Sequence, residues 1–285
     1  MTASSRGGPR HHGTRWAYLV AGALVVVATY AYLVIARPAS LHHGGAGSAA
    51  LLALAGYLVG SVLIIAGAMS RLPTSTVALL PVAIAVNLVV GQIVNVTGIP
   101  LYLDSIGTVL VGVLAGPAAG AATGALADVI WGITVNPSAM PFAVTAAVIG
   151  LLAGVAARFG AFRRLWTALP AGLVTGVVAA IVSAPIGAFV YGNANASAGR
   201  SGLAAAFQAY GNGLLKSATL QGLVSDPLDK TLSFLIVFLL LAALPPRFRQ
   251  RFPFARRFAV FGHRTGLVDR DAEATTGACE LAEKG

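Results

Sequence analysis

Trp16–Ala36, Ala49–Met69 and Thr76–Val96 are apolar runs of 21 residues each, and none of them carries a charge. About 20 such residues are what a helix needs to cross the hydrocarbon core of a bilayer. In that core the backbone must satisfy its own hydrogen bonds, which leaves helices or a closed barrel. No run in this chain shows the period-two alternation of a barrel strand. The expected fold is therefore all-α, a polytopic transmembrane helical bundle. Composition agrees: 57% of the residues are apolar and 10% charged, with a mean hydropathy of +0.81, far from a soluble domain.

Read in order, residues 1–15 form a polar arm and 16–75 hold two helices. Trp16–Ala36 is too long for a signal peptide and is read as a retained span. A hairpin follows Thr76–Val96, with limbs over Asp104–Ala115 and Pro117–Trp131, broken at Gly116-Pro117 because proline cannot continue a helix. Phe142–Ala157, Ala168–Tyr191 with a kink at Pro185, and Thr231–Leu244 complete about eight helices. Gly192–Pro227 reads as a long loop whose apolar spacing suits a packed lid. Residues 249–285 read as a basic, disordered tail.

The net charge of +10 does not mark a nucleic-acid binder, because the basic residues gather in the N-terminal arm, at Arg158–Arg164 and in the tail. With both termini cytoplasmic, 15 basic residues fall inside and 4 outside, as the positive-inside rule asks. That orientation brings the loops at Asp104, Asn136 and Gly192–Pro227 to the outer face. The single cysteine, Cys279, excludes an intrachain disulfide. His42 and His43 form a lone pair in a loop and read as solvated, so no metal is expected.

Polar residues are few enough to be weighed one by one. Gly120, Gly124 and Asp128 recur every four residues, a small-residue face that ends in a carboxylate. A carboxylate at such depth is costly unless paired or wet, so it is a functional candidate. Gln92 and Asn95 share one face, with Asn95 beside the loop, whereas Asn87 reads as an interhelical hydrogen-bonding residue. A solute pocket needs a few directed polar groups in an aromatic-lined apolar cavity. The expected substrate-binding set is Asn95, Tyr102, Asp104, Asp128, Trp131 and Asn136, with Tyr191, Asn193, Asn212 and Gln221 closing over the ligand. No catalytic residue is expected. The chain has no G-x-x-x-x-G-K-[ST] loop, no G-x-S-x-G and no HExxH, and its five histidines lie outside the predicted spans. A non-enzyme without a cofactor is the expectation.

The segment LYLDSIGTVLVGVLAGPAAGAATGALADVIWG resembles the core of the substrate-binding membrane subunits (S components) of energy-coupling-factor (ECF) vitamin transporters. QGLVSDPLDKTLSFLIVFLLLAALPPRF, Gln221–Phe248, resembles their last loop and final helix. The resemblance spans roughly Thr76–Phe248. It implies a six-helix core over 76–248, a bacterial plasma-membrane location, and capture of a small water-soluble vitamin or precursor. It also implies partners: a transmembrane coupling subunit and a pair of cytoplasmic ATPases. Alanines four apart on the first core helix often meet the coupling subunit in that family. Ala78, Ala83 and Ala85 depart from that spacing, so Gly120/Gly124 or Ala17/Ala21 are the alternative docking faces. A membrane-embedded sensor or assembly partner, and an autonomous small-solute carrier, are the competing readings.

Overall fold

A computed structural model describes residues 10–36, 48–69, 72–193, 198–249 and 251–260. The described residues form helices and no strand. In chain order these are α1 (Arg10–Ala36), α2 (Ser48–Met69), α3 (Thr74–Val96), α4 (Ile106–Ala115), α5 (Pro117–Thr134), α6 (Ala143–Arg158) and α7 (Leu165–Pro185). They continue as α8 (Ala198–Ala209), α9 (Leu214–Ala243), α10 (Pro246–Arg249) and α11 (Pro253–Arg257). Three stretches are long and apolar enough to cross a membrane: Thr74–Val96, Ser138–Arg158 and Leu165–Val190. Trp16–Tyr32, Ala55–Ala68 and Ile106–Ala115 are shorter apolar helical stretches.

The central helices approach to backbone contact because glycine removes the side chain where they cross. A Cβ on Gly112 would lie 2.7 Å from the Gly150 carbonyl oxygen, and one on Gly124 would strike the carbonyl of Ala146. The predicted Gly120/Gly124 face is thus consumed inside the chain, between α5 and α6. As a docking face for another subunit it is corrected: nothing can reach it. The short limb α4 is sheathed by its neighbours, with Ile106–Val109 and Val111–Leu114 all buried. Asn87 joins α3 to α4, donating to Thr108 Oγ1 at 2.8 Å and accepting from Gly107 N at 2.7 Å. Such an interhelical bond contributes about 0.6–2 kcal/mol in a membrane.

A second pair, α7 and α9, packs along Gly172, Gly176 and Gly222, where Ala180 Cβ would lie 3.1 Å from a Cβ on Gly222. The α1–α2 hairpin closes on its own seam of Gly22, Gly56, Gly60 and Gly67 and leans on α5 and α6. One end of the bundle is arginine-rich. There the α4–α5 turn at Gly116 meets Phe254, Ser75 Oγ donates to Arg251 O, and Arg163 donates to Phe258 O and Ala259 O.

Three expectations are corrected. Gly192–Pro227 is not a loop: residues 198–209 form α8, and α9 begins at Leu214 and runs 30 residues through Pro227. The reason is a polar stripe at helical spacing, Gln221, Ser225 and Asp229 beside Gly222, Asp226 and Lys230, whose polar groups are matched by ion pairs and hydrogen bonds inside the bundle. The arm does not reach residue 15, since α1 starts at Arg10. Residues 251–260 are not a disordered tail: Phe252, Ala255 and Val260 are buried under the bundle and make α11 an apolar plug. His42, His43 and residues 261–285 lie outside the described residues.

Candidate solute-binding cavity

At the end of the bundle away from the arginines lies a cavity of about 420 Å³, within the usual range for small-molecule sites. Its walls come from α3, the α3–α4 loop, α5, the turn before α6, α6, α7, α8 and α9. Eight of the expected residues line it: Asn95, Tyr102, Asp104, Asp128, Trp131, Asn136, Asn193 and Gln221. Two do not. Tyr191 stacks on Phe142 with ring centroids 6.2 Å apart, and Asn212 donates to Phe207 O at 2.8 Å. Gln92 is exposed and does not line it.

The cavity also takes in charges placed by the sequence reading in a loop. Arg200 on α8 and Asp226 on α9 pair at 2.7 Å, both buried. Gln221, with its amide oxygen turned toward Arg200, accepts from Arg200 Nε at 2.8 Å and from Ser225 Oγ at 2.6 Å. The Arg200 guanidinium also lies over the Tyr102 ring, 4.2 Å from its centroid. Burial works against the Arg200 charge, but Asp226, Tyr102 and Asp229 together more than offset it and hold the group above its ordinary range. Burial likewise pushes the Tyr102 phenol up, against the pull of Arg200.

Below this pair, Lys230 bonds Asp229 and reaches Asp104 Oδ1 at 3.3 Å. Asp229 is fully buried and spends its other oxygen on the α3–α4 loop, accepting from Tyr102 N at 3.1 Å and Leu103 N at 2.8 Å. Leu103 holds φ +50° to bring its N–H inward, a conformation uncommon for a branched residue and sustained here by the carboxylate. Asp229 therefore holds Tyr102 and Asp104 at the cavity wall.

Asp128 differs from its neighbours. It lines the cavity, is 8% exposed, and makes no hydrogen bond or ion pair among the described residues. Trp131, one turn on, is 6% exposed, and its indole N–H is equally unpartnered. Gly91 lets the ring lie close to α3: a Cβ there would sit 2.7 Å from Trp131 Cη2 and 3.0 Å from Asp104 Cβ. At the rim, Asn136 caps the turn before α6 by accepting from Ser138 N at 3.1 Å, and it also accepts from Ser138 Oγ at 2.7 Å. Asn193 ties the end of α7 to α9 through Leu214 O at 3.1 Å. Ser105 Oγ, Thr145 Oγ1 and Arg200 Nη1 are buried at the wall without a partner. Among the described residues no three metal-ligating side chains converge.

The wall can thus do three things: accept hydrogen bonds at Asp128 and Asp104, donate them at Arg200 and the hydroxyls, and offer Trp131 as a flat surface. Arg200, Asp226 and Lys230 went unforeseen, although the four-residue spacing of Asp226 and Lys230 places both on one helix face. The fold and site together define an all-α bundle with a half-open cavity of mixed polar and apolar lining beside helices fit for a membrane. No protein family, curated protein or solved structure is matched by this chain.

Proposed function

We propose that this chain is the substrate-binding membrane subunit of an ECF-type importer, a multi-pass protein of the bacterial plasma membrane with both termini in the cytoplasm. It captures a small water-soluble vitamin or precursor on the outer face, and partner subunits drive uptake: a membrane coupling subunit and an ATPase pair. One observation carries this reading. A solute-sized, half-open cavity with directed polar groups sits at the arginine-poor end, which the positive-inside rule assigns to the exterior. The role is binding rather than catalysis.

The buried charges of α9 also suit an ion-coupled carrier, since Asp226, Asp229 and Lys230 lie well inside a long helix. One experiment separates the readings. The full chain alone in liposomes, with imposed proton and sodium gradients, should bind solute from a radiolabelled vitamin mixture without accumulating any of it. Concentrative uptake by the single chain would replace the importer subunit with the carrier.

A further inference from the structure

The imbalance of charge around the cavity goes further than its size. Three carboxylates and two cations line it, Asp104, Asp128 and Asp226 against Arg200 and Lys230, and Asp229 stands directly behind. Each cation is already ion-paired, Arg200 by Asp226 and Lys230 by Asp229 and Asp104, with Arg200 Nη1 still open, among the described residues, to a neutral acceptor on the ligand. Asp128 has no ion pair among the described residues, and Asp104 and Lys230 are the charges that act on it. A buried carboxylate with no partner is costly, by several kcal/mol on the usual scale of ion desolvation. Here it faces a space large enough for a ligand. An anion entering that space would meet an excess of negative charge, and a positively charged donor would complete it.

The aromatic surface sharpens the class. The Tyr102 ring is already covered by Arg200, and Phe142 is stacked on Tyr191. Trp131 is neither stacked on another ring nor hydrogen-bonded. It follows Asp128 by three residues on α5, so the indole and the carboxylate are neighbours on one helix face. An indole face beside an unpaired carboxylate favours a flat cation, held by the ring quadrupole and by charge-assisted hydrogen bonds.

Resting on the solute-binding reading above, we infer that the ligand is a small heteroaromatic cation whose ring lies on Trp131 and whose amine or ring N–H donates to Asp128.

Trp131 supplies the readout. The other two tryptophans, Trp16 and Trp166, are 61% and 82% exposed and can be replaced by phenylalanine. In that background, with the full chain in nanodiscs, Trp131 fluorescence is titrated with three probes that share a bicyclic ring: protonated 4-aminoquinoline, neutral quinoline and anionic quinoline-4-carboxylate. Empty nanodiscs correct for partition into lipid. Saturable quenching should favour 4-aminoquinoline over the carboxylate by at least tenfold. Asp128→Asn should erase that preference while leaving neutral quinoline within twofold, and Asp128→Glu should restore most of it. Equal or tighter binding of the carboxylate overturns the assignment and leaves a solute-binding chain standing. Failure of all three probes to saturate overturns it as well, and the liposome experiment then decides the importer reading independently. A preference that survives Asp128→Asn also sinks it, because the charge would be read elsewhere.

Discussion

At the scale of single residues, what matters is which polar groups are matched within the chain. Asn87 spends both ends of its amide on α4, and Asp229 spends both oxygens on Lys230 and the α3–α4 loop. Asp128 spends nothing. The Arg200–Asp226 pair is matched but sensitive to loss of either member, since removing one partner of a buried pair leaves the other charge stranded. Arg200→Ala should therefore cost about 3–5 kcal/mol, read as a lowered thermal midpoint of the detergent-solubilised chain. Arg200→Met with Asp226→Leu should recover most of that loss, because an apolar pair of similar volume strands no charge. A single variant as stable as the parent would show that water, not Asp226, satisfies the guanidinium.

At the scale of elements, the glycines and the break at Gly116-Pro117 were readable, because glycine spacing and proline chemistry are local. The helix α5 begins with Pro117 at its first turn, after Gly116 at φ +98°. The lid was only half readable. Its apolar spacing marked a packed segment, but α8 and the first turns of α9 looked like a loop because Gly192, Asn193, Asn195, Gly199 and Gly202 punctuate its start, and the charges Asp226, Asp229 and Lys230 farther on are costly in a membrane helix. Tertiary pairing overrides that local signal, and no pairing is visible along the chain. Where α8 begins, Gly199 rests on the α3–α4 loop: a Cβ would strike Gly98 O and lie 2.9 Å from Pro100 N. Gly199→Val should lift this contact. Amide hydrogen exchange over residues 200–209 should then speed up about tenfold, a shift of about 1.4 kcal/mol in local opening, with α9 unchanged. Unaltered exchange in α8 would mean that the lid is held by Arg200 alone.

At the scale of the molecule, the orientation assigned from the arginines has a direct check. In a Cys279→Ser background, a cysteine at Tyr210, 86% exposed near the cavity end, should react with an impermeant thiol reagent added to intact cells. One at Arg247, at the opposite end, should react only after permeabilisation. The reverse pattern would turn the cavity toward the cytoplasm and remove capture from outside. Eight of the ten anticipated site residues line one cavity because loops that share a side of a bilayer must meet at one end of the bundle. Tyr191 and Asn212 share that side yet point elsewhere, which depends on rotamers and packing that spacing does not encode. The Arg200–Asp226 pair joins two of the cavity's walls, since α8 carries one member and α9 the other. Any motion that admits or releases a solute between them must first separate two buried charges. Under the proposed binding role such a step would be rare and activated, so a guest's stay would be timed by that fastening as well as by its own grip on the walls. In the proposed importer role, loosening that fastening would set the clock for release.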